Sequence, residues 1–380
     1  MNNLSLLLIL HVKSTCIYLT THTKAEKEKR TTHYNRSIHE TLYILLFAVF
    51  AANNNRHMEE YVKFDNSLEL PVNNPDKACS NLEEHNFEVE RINHNKQADS
   101  KNSSSSSSKI KILMISDTHG QHRKLNNLPK SDILIHCGDI SVNGCPESFE
   151  DFADWFENLQ QFTYKIVIAG NHDLTLCEEP KNWYHENYKQ WSPQLVPEEA
   201  FDQDRAIEAI KNRGRWWKNQ EPEFLKITPS SCKSKFIYLE NESVTIENLL
   251  IHGSPATRFP INKSGQFSAF STDRSYKSCL KDLSKIPKNC DILITHGPAC
   301  GAGDLVKYDN VELRVGCVNL RKKIVEDLPN LKLHCFGHIH EDHGIFVEKQ
   351  TARKKRLYHV NAAICGRKNQ ICYEPITLEI

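Results

Sequence analysis

KIVIAGNHD (165–173) decides the fold. Ile166, Val167 and Ile168 are β-branched and sit in an unbroken apolar run, the pattern of a buried strand, and Gly170 ends it. An amide, an imidazole and a carboxylate follow on consecutive residues, Asn171, His172 and Asp173. In an open α/β sheet the loops at the C-terminal strand ends converge over one edge, and ligands bind there. Gly170 lets the backbone turn sharply while Asn171 points its side-chain oxygen inward. Alone, GNHD reads equally well as a polar turn, because Gly, Asn and Asp are common turn formers. The rest of the chain has to decide.

Upstream, KIKILMIS (109–116) is a strand followed by Asp117-Thr-His119-Gly120, and SDILIHCGDI (131–140) repeats the plan with Gly138-Asp139. Pro146 to Gln160 reads as a helix, with Pro near its start and Phe149, Phe152, Phe156 and Leu159 at helical spacing. Downstream, FIYLE (236–240), SVTIENLLIHG (243–253), CDILITHGP (290–298), LKLHCFGHIHEDHG (331–344), IFVEK (345–349), RLYHVNAA (356–363) and YEPITLEI (373–380) are further strands. Val311 to Asp327 reads as a loop and then a helix. Alternating Ile345/Val347 and Leu357/His359 fit an antiparallel second sheet. The expectation is an α/β fold: two packed sheets with helices outside, an α/β/β/α sandwich.

The strand-end loops collect Asp117-x-His119, Asp139, Asn171-His172-Asp173, His296 and His338-x-His340. Carboxylates, neutral imidazoles and one amide oxygen form a mixed N/O set suited to Mn²⁺, Fe or Zn²⁺. Seven candidate ligands (Asp117, His119, Asp139, Asn171, His296, His338 and His340) are too many for one tetrahedral ion, so two ions sharing a carboxylate is the economical reading. In D-x-H and H-x-H the side chains lie one residue apart, and on extended backbone they point the same way. Each could serve separately as a cap, a turn residue or a buried histidine; their joint occurrence at successive strand ends favours a metal site.

The stretches KILMISDTHGQH, DILIHCGDIS, IAGNHD, DILITHGP and FGHIH, in this order, resemble the calcineurin-like metallophosphoesterase superfamily. The closer likeness is to metallophosphoesterase domain-containing proteins of the class III phosphodiesterase type, over about residues 109–380. The resemblance implies one divalent metal on Asp117, His119 and His340 and a second on Asn171, His296 and His338, with Asp139 bridging and Mn²⁺ favoured. It further implies a metal-activated water as nucleophile. His172 then stabilises the transition state or protonates the leaving alkoxide, and Asp173 orients or electrostatically supports His172. The expected activity is phosphodiester hydrolysis on small nucleotide-type, including cyclic, substrates. The alternative is a low-activity or non-catalytic nucleotide- or partner-binding module on the same fold. The phosphatase-type GDxVDRG extension is missing (here GDISVNG), which argues against a protein phosphatase.

Two other histidine contexts compete. His252 sits in a second strand-end HG; it is assigned to substrate binding, as a pocket wall or a donor to a ligand, and His296 is preferred as ligand. His338-Ile-His-Glu-Asp342-His343 also fits the H-x-H-x-D-H of metallo-β-lactamase-fold hydrolases, but the chain after 343 lacks that fold's further ligands. Asp342 and His343 are therefore read as near-site or surface residues.

Composition bounds the rest. With 48 basic and 48 acidic side chains among 380 residues, bulk charge does not hold this chain to nucleic acid or anionic membrane. Thirteen cysteines without a CxxC pair suggest reduced thiols in a cytoplasmic protein. The apolar runs Leu4–Val12 and Thr41–Ala52 fall short of the ~20 residues of a spanning helix. Secretion or membrane association through them is the alternative. Residues 1–108 are expected to be a non-catalytic, disordered extension with a Ser103–Ser108 linker, and the first 57 of them an upstream extension of the gene model ahead of Met58. Residues 174–235 read as an insertion or lid, in which Trp216 and Trp217 pack a helix in preference to stacking on bases. Arg353–Arg356 reads as a solvated hairpin tip.

Overall fold

Alternation along KILMI separates two cores: Ile112 and Met114 face one way, Leu113 and Ile115 the other, and all four are fully buried. The computed structural model describes residues 7–12, 15–20, 87–92, 109–177, 202–219, 227–232, 234–257, 269–270, 282–308, 311–350 and 356–380. Two units are distinguished, Met1–Val72 and Asn73–Ile380. In the first, β1 (Leu7–Val12) and β2 (Thr15–Thr20) pair antiparallel. The Thr41–Ala52 run, the serine run and Arg353–Lys355 lie outside the described residues.

The second unit holds a two-sheet sandwich. Its five-stranded sheet runs in the order β16 (Ile376–Glu379), β4 (Lys111–Ile115), β5 (Ile133–His136), β6 (Tyr164–Val167), β7 (Ile237–Tyr238). β4 to β7 are parallel and β16 is antiparallel at the edge. The seven-stranded sheet begins with β3 (Phe87–Ile92), β14 (Gly344–Gln350), β15 (Leu357–Asn361) and β13 (Leu333–Phe336). It continues through β10 (Ile292–Thr295) and β9 (Leu249–Ser254) to β8 (Glu242–Ile246). Only its margins are antiparallel; β9, β10, β13 and β15 are parallel. The second sheet is thus mixed, and the antiparallel pattern read from residues 345–359 belongs to the β14–β15 pair.

Ile112, Ile135 and Ile166 from one sheet meet Ile251, Ile294 and Cys335 from the other in the central core. Outside the first sheet α1 (Pro146–Glu157) sets Phe149, Phe152 and Phe156 onto Leu113, Leu134 and Val167. Outside the second, α4 (Val318–Asp327) sets Leu320 and Ile324 onto Leu293 and Leu357. These layers are helix, sheet, sheet, helix, as expected.

Several boundaries differ from the sequence reading. β3 lies inside the stretch set aside as an extension, yet it pairs with the whole of β14. Arg91 on β3 donates to Asp342 and to the His343 carbonyl. Asp342 and His343 are accordingly buried, each under a tenth exposed, and Asp342 also accepts from the Leu305 amide. The supposed loop before α4 contains β12 (Val311–Arg314), paired with β11 (Leu305–Tyr308).

The described part of 174–235 is no lid. α2 (Gln203–Ile207) and the π-turn Glu208–Asn212 bury Ala206 and Ile210 against α1, while α3 (Pro229–Cys232) is one short turn. Trp217 lies in the central core, and Trp216 donates to the Phe236 carbonyl at 2.9 Å under Lys235, so packing accounts for both rings. Nine of the described cysteines are free, but Cys300 is disulfide-bonded, which departs from the reduced-thiol expectation. Among the described residues no helix is long and apolar enough to cross a membrane.

Candidate metal centre

Parallel strands that stop together put their following loops together. Asp117 and His119 follow β4, Asp139 follows β5, and Asn171 to Asp173 follow β6; His296 follows β10, and His338 and His340 follow β13. Backbone bonds stitch the loops: Asp117 N–H donates to the Gly138 carbonyl, His119 N–H to Asp139 O and Gly337 N–H to His296 O.

Gly170 and Gly337 are dictated by close approach. A Cβ on Gly170 would lie 2.3 Å from both the amide and Oδ1 of Asp139, and one on Gly337 would lie 2.1 Å from Asp117 Oδ2. Gly170 is therefore required by contact with a neighbouring loop, where the sequence suggested a sharp turn. Four proposed ligands, Asp117, His119, Asp139 and His338, hold φ of 56°, 43°, 55° and 68°. This left-handed backbone costs a non-glycine residue roughly 1–2 kcal/mol.

All seven candidate ligands come together. Asp117, His119 and His340 offer donor atoms within 4.8 Å of one another, and so do Asp117, Asp139 and His296. His340 Nε2 lies 3.2 Å from Asp117 Oδ1 and 3.3 Å from His119 Nε2. Asn171 Oδ1 is 2.9 Å from both His296 Nε2 and His338 Nδ1. Asp139 faces both groups, with Oδ1 3.3 Å from His296 Nε2 and Oδ2 3.9 Å from His119 Nε2.

Backbone carbonyls that the motifs do not reveal fix three ring orientations. His119 Nδ1 meets Ser141 O at 3.2 Å, His296 Nδ1 meets Cys137 O at 2.9 Å, and His340 Nδ1 meets Gly366 O at 3.1 Å. A carbonyl only accepts, so each Nδ1 carries its proton and each Nε2 is left facing inward. Gly366 lies far downstream of every motif, and only folding identifies it as a partner.

Burial raises the pKa of Asp117 and Asp139, but neighbouring imidazoles outweigh it and hold both below the usual carboxylate range. Burial likewise lowers His296 and His340, yet Asp139 and Asp117 respectively push each up to about 9. His338 falls to about 3, chiefly through burial and then the charge of His296. The ion-pair partners of both carboxylates are histidines, with no Lys or Arg among the described residues. Two buried anions ringed by inward-facing ring nitrogens suit divalent cations, and the N/O donors present fit them.

His172 is half-buried beside this set. Its backbone N–H donates to Asp139 Oδ1 at 2.8 Å and its Nδ1 meets Val142 O at 2.7 Å, leaving Nε2 as the atom available for chemistry. Asp173 does not orient that ring. Its carboxylate, fully buried, accepts from the amides of Ile140, Ser141 and Gly170 and from the Ser141 hydroxyl. Burial first, then the charge of Asp139, raises it to about 6. Consecutive side chains in a tight turn diverge, which is why adjacency to His172 misled. His252 also stays apart: it is buried on β9, hydrogen-bonded to Ser243 at 2.8 Å, and burial lowers it to about 4. It does not line the groove beside His338, where Ser254 does.

The family model described as calcineurin-like phosphoesterase matches residues 110–342. Human and mouse Metallophosphoesterase domain-containing protein 1 are each 30% identical over 276 residues, covering 71% of this chain and 71% of theirs. The UPF0046 protein C25E10.12 of Caenorhabditis elegans is 29% identical over 274 residues, 72% of this chain and 81% of that one.

Proposed function

The chain belongs to the calcineurin-like phosphoesterase family, and from that premise we propose that it is a phosphodiesterase acting on nucleotide-type esters through two divalent metal ions. Asp117, His119 and His340 would hold one ion, and Asn171, His296 and His338 the other, with Asp139 between. Bound there, the ions supply Lewis acidity toward phosphoryl oxygens and a water acidic enough to attack phosphorus near neutral pH. Mn²⁺ is the favoured ion on this mixed N/O donor set. The observation that carries the reading is the pair of buried carboxylates whose charged partners are imidazoles alone.

The chain's own part is orientation and proton handling. The carbonyls of Ser141, Cys137 and Gly366 keep three Nε2 atoms aimed inward before substrate arrives. Asp173 ties the Asp139 loop to the Gly170 loop through three amides, so the two move together. His172, its Nδ1–H given to Val142, presents Nε2 to the charge developing on the leaving oxygen.

An apolar groove opens beside His338, walled by Leu283, Ile286, Pro298 and Leu320 with Ser254 and Thr257. Its apolar walls suit one face of a nucleoside base. Among the described residues no Lys or Arg lines it and Asp282 does, which favours the single charge of a phosphodiester over a dianionic monoester.

The test is turnover by the whole chain of 2′,3′- and 3′,5′-cyclic nucleotides beside 5′-nucleotide monoesters, with Mn²⁺ and with chelator. Faster, chelator-sensitive diester hydrolysis, lost in Asp139→Ala and His172→Ala, is expected. Faster monoester hydrolysis would overturn the substrate class. Binding of metal and nucleotide without turnover would make the protein a binding module.

A further inference from the structure

Beneath α4, on the outer face of the seven-stranded sheet, a row of polar side chains crosses four strands at a depth where apolar ones are the rule. Thr295 on β10, His334 on β13, His359 on β15 and Glu348 on β14 are each at most 3% exposed, as is Arg321 on α4. They touch in sequence. Arg321 Nη1 donates to Glu348 Oε2 at 2.6 Å, and His359 Nε2 lies 3.0 Å from the same oxygen. His359 Nδ1 lies 3.2 Å from His334 Nδ1, and His334 Nε2 lies 2.8 Å from Thr295 Oγ1. Thr295 then donates to the Gly297 carbonyl at 2.6 Å.

Proton counting gives the row a direction. The single Thr295 proton goes to Gly297, so the hydroxyl must accept from His334, whose Nε2 is therefore protonated. Burial keeps His334 neutral, well below the ordinary histidine range, so its Nδ1 is bare and accepts from His359 Nδ1–H. His359 Nε2 faces a carboxylate that also holds Arg321, so it donates as well, and His359 is an imidazolium. Among the described residues the groups facing it include Glu348, His334 and Arg321, the last at 3.5 Å. From His359 Nδ1 onward every donor points toward the turn that carries His296.

We propose that Glu348, His359, His334 and Thr295 form a buried positioning chain that sets the His296–Gly297 turn and, through it, the inward-facing Nε2 of His296. Thr295 immediately precedes His296, and its bond to Gly297 O closes the turn around that residue. The His296 carbonyl in turn accepts from Gly337 N–H, so the same turn also seats the loop bearing His338. None of the four touches substrate; they act through His296. The inference needs only the metal-binding role of His296, and nothing in it depends on which ester is cleaved.

The experiment uses the full chain with ¹⁵N-labelled histidines. Metal-free wild type should show His334 as the neutral Nε2–H tautomer and His359 with both nitrogens protonated at pH 7. Thr295→Val should weaken Mn²⁺ binding, or lower kcat on any ester turned over, by about 10- to 100-fold with little change in KM. Thr295→Ser, which keeps the hydroxyl, should restore both. Ile294→Val, one residue away and facing the central core, should cost stability without moving Mn²⁺ affinity. The proposal fails if Thr295→Val binds Mn²⁺ and turns over like wild type, or if His334 carries its proton on Nδ1. If wild type hydrolyses no ester, the ring tautomers and the Mn²⁺ affinities still decide it, so its failure and that of the substrate assignment stay separable.

Discussion

The two sheets arm the same centre by different means. The five-stranded sheet contributes both carboxylates and secures them with main chain: Asp173 receives three amides, and Asp117 receives the His338 amide at 3.1 and 3.0 Å. The seven-stranded sheet contributes His296, His338 and His340, and behind His296 stands a row of side chains reaching to an ion pair under α4. Main-chain support at Ile140 and Ser141 is indifferent to the side chain, because any residue but proline brings an N–H. Side-chain support is only as good as each member, since a half-satisfied buried network is worse than an apolar one.

The largest effect should break the carboxylate side. Asp139→Ala removes the group that faces both metal-ligand sets and is expected to cost about 4 kcal/mol of transition-state stabilisation, a thousandfold in kcat/KM, by steady-state kinetics. A loss no greater than tenfold would show that the sheets contribute more equally than the geometry suggests. On the other side, Arg321→Met removes one of the two cations that hold Glu348, with His359 left in place, and should destabilise by about 1.5–3 kcal/mol in chemical denaturation. Replacing Arg321, Glu348 and His359 together with apolar residues should recover most of that stability while leaving activity impaired.

A chain begun at residue 109 would lose β3, open the β14 edge and remove Arg91 from Asp342. It should melt lower and aggregate with concentration, by light scattering, because an unpaired edge strand recruits other chains. The smallest effect is one of pH. His136, behind the Asp117–His119 loop, takes the Gly138 N–H on Nδ1 and bonds Thr118 at 3.0 Å through Nε2. Burial lowers its pKa to about 3 from 6.5. The unfolded chain therefore binds the extra proton first, so this contribution is whole above pH 6.5 and fades as pH falls toward 3. His136→Gln should flatten that limb of the stability curve, measured as unfolding free energy against pH.

What the sequence showed and what it hid divide along the same line. Asp117-x-His119, Gly138-Asp139, Gly170-Asn171-His172, His296-Gly297 and His338-x-His340 are legible because each loop carries its chemistry on neighbouring letters at a strand end. Thr295, His334, Glu348 and His359 come from four strands, and their partners lie 39, 25 and 11 residues apart, distances no short motif spans. Phe87-Glu-Val89-Glu alternates as an edge strand should, but its polar surroundings masked it. Asp173 was visible and misassigned, because a turn makes sequence neighbours point apart.

The left-handed backbone at Asp117, His119, Asp139 and His338 has a consequence for descent. Glycine would relieve each of those conformations, and each such replacement would also delete a proposed ligand. A duplicated copy freed from selection for turnover would thus find disarming changes among its stabilising ones. In this fold, drift runs downhill from enzyme toward an inert scaffold, and the persistence of all four side chains has to be maintained against it.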